Sequence, residues 1–137
     1  MANEAVLVLE THQPIPMTVA NGTGIEKGAV LKIADLMTAS LADGTNDFVA
    51  GIAASEKIAS DGKVRLGVYR GGIFKMICSG AVLLGSPVGT TATYPNHISD
   101  ISTTNELSGC QTLGIALELG ANTETILVEV RPHCGHA

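Results

Sequence analysis

The sequence predicts an all-β fold, a small sandwich or barrel of short antiparallel strands with occasional short helical turns. Short aliphatic and β-branched runs recur along the 137 residues, and turn-forming residues separate them at intervals of about 8 to 12 residues, which is typical of such folds. The 16 glycines fall mostly between these runs, where turns require positive φ angles. Hydrophobic residues make up 45% of the chain but aromatic residues only 3%, so the core must be aliphatic.

The first element is an extended N-terminal arm over residues 1–19. Pro14 and Pro16 lack backbone donors and disfavour helix, so they predict an arm or edge segment rather than a central strand. Residues 6–9 are too apolar for a permanently free tail, which predicts that the arm pairs as an added strand on another subunit. The chain is thereby divided into three parts, namely the arm at 1–19, a β-rich domain at 20–132 and a flexible tail at 133–137.

The β-rich domain contains a series of predicted strands, at residues 29–33, 48–53, 64–70, 73–78, 81–84, 115–119 and 126–130. Gly71 and Gly72 separate the third strand from the fourth, and this pair predicts a tight hairpin. The last two strands flank the turn at 120–123 and predict a second hairpin. Residues 34–42 have partial helical spacing, which is compatible with a short helix or a loop. Residues 89–109 are rich in polar side chains and are expected to contribute little to the core.

Composition excludes several classes of function. The net charge is −5, and the eight lysines and arginines are scattered singly, which argues against a nucleic-acid partner. No apolar run approaches the roughly 20 residues needed to span a bilayer. Residues 1–4 lack the basic and apolar regions of a signal peptide, so synthesis in a cytoplasm is expected. No internal repeat of about 20 to 50 residues is evident.

The cysteines and the glycine-rich segment offer no strong candidate for chemistry. Cys78, Cys110 and Cys134 are odd in number and widely spaced, which does not indicate a disulfide framework. Cys78 is expected to be a small buried residue, and Cys110 a structural one, because neither has an adjacent basic residue that would lower its pKa. Residues 22–28 differ by one residue from a phosphate-binding glycine motif and are interpreted as a turn leading into a strand.

The C-terminal tail contains metal-ligating residue types. His133, Cys134 and His136 carry ligands that suit zinc or nickel, but a closed site would need further ligands from elsewhere. Those ligands would be His12, His97 or residues of a symmetry mate. A solvated tail after Pro132 is the preferred interpretation, because chain termini usually fray. The sequence therefore predicts no catalytic, cofactor-binding or metal-binding residue.

The order of the elements resembles that of the small capsid decoration, or cement, proteins of tailed phages. The segments that carry the resemblance are residues 28–33, 48–54, 61–75, 79–88, 113–118 and 126–132. The resemblance implies a β-rich homotrimer, bound to the major capsid protein on the outside of an icosahedral head at local threefold positions. It implies stabilisation of the capsid lattice, no enzymatic activity and no cofactor, and localisation to the virion after synthesis in the host cytoplasm.

Two other classes of function remain open. The first is a small β-barrel ligand-binding or carrier-type module of a cellular protein, although no lysine lies at a tight turn in a suitable motif. The second is an enzyme subunit whose site is shared across an oligomer and built around Cys110 or His97. Neither nucleic acid nor a membrane is expected as a partner of the protein.

Overall fold

The computed structural model describes residues 3–102 and 111–133, and of His133 only the backbone. These residues are all-β and include no helix, which confirms the predicted fold class. Their eleven strands are β1 (Val6–Leu9), β2 (Ile15–Thr18), β3 (Val30–Asp35), β4 (Thr38–Leu41), β5 (Val49–Ala53), β6 (Arg65–Tyr69), β7 (Gly72–Cys78), β8 (Pro87–Thr90), β9 (His97–Asp100), β10 (Thr112–Ala116) and β11 (Thr125–His133).

The strands form two barrels with the same topology. The first barrel is closed in the order β2-β4-β3-β5-β6. The second sheet has the order β1-β7-β11-β10-β8-β9, and an additional pairing of β7 with β9 closes its last five strands. In each barrel the first and third strands in chain order are parallel, β2 with β4 and β7 with β9, while the other neighbours are antiparallel. Residues 15–69 and 72–133 are therefore two copies of one structural unit.

The duplication extends to individual backbone hydrogen bonds outside the strands. In the first barrel these bonds are Ile25 N to Lys57 O (2.9 Å), Lys57 N to Ile25 O (2.7 Å) and Gly28 N to Ala53 O (2.9 Å). In the second barrel they are Val82 N to Gly120 O (2.8 Å), Gly120 N to Val82 O (2.9 Å) and Gly85 N to Ala116 O (2.8 Å). This duplicated unit is longer than the repeats of about 20 to 50 residues that are absent from the sequence, so the two findings do not conflict.

The tripeptide Gly-Ile-Ala recurs at equivalent positions, beginning at Gly51 and at Gly114. A Cβ at Gly51 would overlap the carbonyl oxygen of Tyr69, and a Cβ at Gly114 would overlap that of Glu129. Gly51 also has a φ of 146°, which L side chains rarely adopt. The neighbouring strand thus passes so close that both barrels require glycine at this point.

The two barrels share part of one apolar core. The interior of the second barrel includes Phe74, Met76 and Val128, and its cluster also contains Val49 and Ile52 from β5 of the first barrel. Every residue of β5 is buried, because one face lines its own barrel while the other lies against the second. A strand buried on both faces is continuously apolar rather than alternating, as residues 49–53 are. The first barrel keeps a second cluster of its own.

Hydrogen bonds also join the barrels. The side-chain oxygen of Asn96 accepts a buried hydrogen bond from Val30 N at 3.0 Å. Thr90 Oγ1 accepts from Asp47 N and donates to Gly44 O, each at 2.9 Å. The β4–β5 loop of the first barrel is therefore bound to the end of β8 in the second.

The predicted hairpin around Gly71 and Gly72 is wrong. The strands β6 and β7 do form there, but β6 pairs with β5 and β2, whereas β7 pairs with β1, β11 and β9. The two glycines carry the chain from the first barrel to the second, with Gly72 at a φ of 128°. A local turn pattern does not distinguish a hairpin from a crossover, because pairing depends on distant strands.

The interpretations of residues 34–42 and 81–84 are also wrong. Instead of a helix or loop, residues 34–42 contain the end of β3, a tight turn at Leu36 and Met37, and β4. Met37 adopts a φ of 47°, and Leu36 N donates to Asp35 Oδ1 at 2.7 Å, which stabilises this turn. Within 81–84 only Val82 makes a bridge, and the next strand begins at Pro87.

The polar stretch at 89–109 contributes more to the core than expected. Its described part contains β9, where Ile98 is completely buried, and Ile101 is 2% exposed.

The strands predicted at 29–33 and 48–53 are confirmed as β3 and β5. The second hairpin is confirmed as the antiparallel pair of β10 and β11, although β10 ends at Ala116.

The segment expected to be an arm contains two strands that pair within the same chain. Residues 6–9 form β1, which pairs antiparallel with β7. Residues 15–18 form β2, which lies between β6 and β4 in the first barrel and is not an edge. The arm is expected from the sequence to add a strand to another subunit. In the structure, β1 instead adds a strand to β7 of the second barrel in its own chain. β2 pairs with β4 only at Thr18, so Pro16 has no partner in β4 across that side of the strand.

Candidate functional site

Two hydrogen-bonded segments of the second barrel, 82–85 and 116–120, expose a group of four leucines. The exposed fractions are 58% for Leu83, 70% for Leu84, 39% for Leu117 and 68% for Leu119. We call these four residues the leucine surface. Because Val82 pairs with Gly120 and Gly85 with Ala116, the four leucines lie on adjoining backbone segments.

The backbone beneath the leucine surface is held by further hydrogen bonds. Leu83 N donates to Asp100 Oδ2 at 3.3 Å, which ties the first segment to β9. Glu118 Oε2 accepts from Leu127 N at 2.8 Å, and Leu117 N donates to Leu127 O at 2.9 Å, so the second segment is bound to β11. The leucines are therefore presented by an ordered framework, which lowers the entropic cost of binding.

The first barrel has the same two segments but different side chains. At the positions equivalent to the four leucines it carries Glu26, Lys27, Ala54 and Glu56. The fold therefore accommodates charged and small residues at this site, and it does not require leucine. Exposed leucines on adjoining backbone segments, at positions where the fold accepts charge, indicate an interaction surface. Full burial of one leucine contributes about 1.5–3 kcal/mol, so covering this surface would favour association substantially.

Other exposed apolar side chains lie elsewhere on the molecule. Val6, Val8 and Leu9 of β1 are 50–59% exposed on a strand whose outer edge has no strand partner among the described residues. Leu36 and Met37 are exposed at the β3–β4 turn. Leu36 belongs to the first barrel and not to the leucine surface, and it serves below as a control.

Cys78 behaves as predicted from the sequence. It is a free, completely buried thiol within the core of the second barrel. Desolvation, with a smaller contribution from Glu124, raises its pKa above the ordinary value. Cys110, Cys134 and His136 lie outside the described residues, so the metal-binding hypothesis for the tail stays untested.

His97 does not lie in a solvated polar stretch. Its side chain is buried, its Nε2 is 3.1 Å from Asn3 Nδ2, and its ring centroid is 5.0 Å from that of Tyr94. Desolvation lowers the pKa of His97, which favours the neutral ring. If Nε2 accepts from Asn3, the ring hydrogen is on Nδ1, a buried atom with no hydrogen-bond partner in the described part of the chain.

The glycine-rich segment at 22–28 is confirmed as a turn that leads into a strand. The carbonyl oxygen of Thr23 in this segment, and that of Asn21 just before it, face Lys57, a residue that is 1% exposed and that the sequence did not single out. Lys57 Nζ donates to Asn21 O at 2.7 Å and to Thr23 O at 3.1 Å. A phosphate cradle would need backbone N–H groups directed at its ligand, whereas these carbonyls bind a cation of the protein itself.

Residues 3–102 and 111–133 contain no group of three or more His, Cys, Asp or Glu side chains arranged to hold a metal ion. No helix in the same ranges has the length and apolar character to cross a membrane.

Comparison with known proteins identifies the fold. No protein-family model matches the chain, and no curated protein matches its sequence. Among solved structures, the chain is similar to the head fiber gp8.5 N base of bacteriophage phi29, with a TM-score of 0.53 and 13% sequence identity. The match covers 89% of this chain and 97% of that one. At this identity the likeness establishes a common fold, shared over nearly the whole of both chains.

Proposed function

We propose that this protein is a structural component of a phage virion, which binds the outer surface of the head and stabilises the capsid lattice. The observation that carries the proposal is the common fold with a phage head fiber base, over 89% of this chain. The order of strands and turns in the sequence resembles that of phage decoration proteins, and this resemblance also supports the proposed role. Such a role requires surface complementarity rather than catalysis.

The attachment surface in this proposal is the leucine surface, and its partner is an apolar patch on the major capsid protein. Apolar residues at the centre of an interface supply most of its binding energy, with polar residues around them. The charged equivalents in the first barrel, Glu26, Lys27 and Glu56, suit a face that remains in solvent. The second barrel therefore lies against the shell and the first barrel points outward. Three copies surround each local threefold position of the head.

The test uses a variant in which the second barrel carries the residues of the first, namely Leu83→Glu, Leu84→Lys, Leu117→Ala and Leu119→Glu. This variant should fold like the wild type, because the same backbone already carries these residues in the first barrel. Its binding to undecorated heads of the phage that encodes the protein should weaken by at least about 100-fold, which corresponds to about 2.8 kcal/mol. Sedimentation of labelled protein with purified heads measures the occupancy.

The matched control is Leu36→Glu, which replaces a leucine that is 87% exposed in the first barrel. This control should bind heads like the wild type. Equal occupancy by the four-residue variant would exclude the leucine surface as the attachment site. Absence of binding by the wild-type protein would contradict attachment to the head altogether.

A further inference from the structure

A cleft of 580 Å³ lies where the chain passes between the two barrels. His12 reaches it from the connection between β1 and β2, and Arg70 from the crossover between β6 and β7. Ile115 of β10 and Arg131 and Pro132 of β11 also line it. The leucine surface contributes no residue to this cleft.

Positive charge is concentrated in this cleft although the protein as a whole is acidic. The chain has three arginines and a net charge of −5, and two of the three, Arg70 and Arg131, line the cleft. The third, Arg65, is exposed on β6 and is not among the lining residues. Two guanidinium groups around one concavity favour an anionic ligand. Arg131 Nη1 also lies 3.8 Å from Glu129 Oε1, but a guanidinium carries five N–H donors and can contact more than one carboxylate.

Contacts within the protein hold two of these groups in place. Arg70 Nη1 donates to Ala50 O at 2.8 Å, which engages one of the five N–H donors of the guanidinium. His12 Nδ1 is 3.0 Å from Thr11 Oγ1. The His12 ring also lies against Gly71, where any Cβ would overlap the imidazole. Gly71 thus permits the close approach of His12, and the cleft is partly preorganised before a ligand arrives.

We propose that this cleft binds carboxylate groups presented by an acidic segment of a partner protein. The planar fork of a guanidinium matches a carboxylate in two parallel hydrogen bonds. Ile115 and Pro132 supply apolar contacts for the methylene groups of a glutamate side chain. The volume of 580 Å³ is within the range of about 300–1,000 Å³ that is usual for ligand sites. This inference is independent of the proposed attachment through the leucine surface.

The experiment titrates the full-length protein with an acetylated tetraglutamate peptide at low salt, followed by calorimetry and by amide chemical shifts. Saturable binding is expected, with shifts centred on the cleft, and no binding is expected for a tetraglutamine peptide. Arg131→Gln should weaken the affinity at least 10-fold, and Arg70→Gln should do the same. Arg131 is 63% exposed, so its replacement should leave the fold intact. Arg65→Gln, which removes the same charge outside the cleft, should bind like the wild type.

Three results would overturn the inference. One is the absence of saturable binding by tetraglutamate. Another is an equal loss of affinity in Arg65→Gln, which would indicate attraction to charge in general. The third is inorganic phosphate that binds the cleft as tightly as the peptide, which would assign the site to a free oxyanion instead of a protein segment.

Discussion

Lys57 is a buried residue of the first barrel that has no counterpart side chain in the second barrel. Its ammonium group donates to the carbonyl oxygens of Asn21, Thr23 and Ile58 and is 3.6 Å from Asp61 Oδ1. The equivalent residue in the second barrel is Gly120, where a Cβ would lie only 2.6 Å from Ile126 and 2.8 Å from Cys78. In the first barrel the buried side chain of Lys57 occupies this position. In the second barrel the side chains of Ile126 and Cys78 lie so close to Gly120 that they leave no room for one.

Lys57→Met is expected to lower the free energy of unfolding by about 2–4 kcal/mol, because it leaves carbonyl oxygens without their donor and Asp61 without its ion pair. Urea denaturation followed by circular dichroism measures the change. Lys63→Met, which replaces an exposed lysine two residues beyond Asp61, should change stability by less than about 0.5 kcal/mol. Equal stability of Lys57→Met and the wild type would show that the buried ammonium does not stabilise the loop.

His97 makes stability depend on pH. Burial lowers its pKa in the folded state below the ordinary value of 6.5, so the unfolded chain binds the proton more readily. The full contribution of His97 to stability is therefore present above pH 6.5, and it is lost as the pH falls below 6.5 toward the folded-state pKa. Thermal denaturation between pH 8 and pH 5 should show this loss in the wild type.

Two variants isolate the contribution of His97. His97→Gln removes the titrating group, so its stability should vary less over this range of pH. His12→Gln, which replaces an exposed histidine, should retain the wild-type dependence. A slope that is unchanged in His97→Gln would assign the pH dependence to another group.

At the scale of the element, local sequence patterns identified strands better than they identified strand partners. The apolar run at 48–53 predicted β5, and the alternation at 115–130 predicted the pairing of β10 with β11. The runs around Gly71 and Gly72 predicted β6 and β7, but the two strands belong to different barrels. Pairing is decided by strands that are distant in the chain, and a single short turn pattern does not contain that information.

The candidate surface was accessible to sequence reasoning only in part. The apolar run at 81–84 is visible in the sequence, but the structure is needed to show that Leu83 and Leu84 are exposed. Glu26 and Lys27 of the first barrel occupy the positions equivalent to Leu83 and Leu84, which shows that the fold does not require leucine there. This equivalence is visible only in the duplicated fold. Lys57 offered no sequence signal, because a lone lysine in a polar stretch is typical of a solvated surface.

Gly51→Ala and Gly114→Ala test the requirement for glycine that the two barrels share. Each added methyl group would overlap a carbonyl oxygen of the neighbouring strand, so each variant should lose at least about 2 kcal/mol of stability. Chemical denaturation measures the loss. Gly22→Ala is the control, because a Cβ there meets nothing within 4 Å. Losses no larger than that of the control would contradict the close approach of strands in both barrels.

At the scale of the whole molecule, the two barrels share a fold but differ in the side chains they expose. A shared core and hydrogen bonds at Asn96 and Thr90 hold the two barrels together. Their equivalent surfaces have diverged, one into the leucine surface and the other into a charged face. One chain thereby presents an apolar face on its second barrel and a charged face on its first.

The proposed homotrimer is testable in solution. A cyclic arrangement of three chains follows from attachment at local threefold positions, and it would give a mass three times that of the 14.0 kDa chain. Multi-angle light scattering at micromolar concentration measures the mass directly. A stable monomer under these conditions would contradict the trimer, and it would leave attachment to the head to be judged separately.

The most direct measurement of the central claim is a cryo-electron microscopy map of undecorated heads incubated with the protein. The account predicts added density on the outer surface at local threefold positions. The second barrel, residues 72–133, should lie against the shell, and Leu83, Leu84 and Leu119 should be buried on the major capsid protein. Added density in which the first barrel contacts the shell, or no added density at all, would contradict the account.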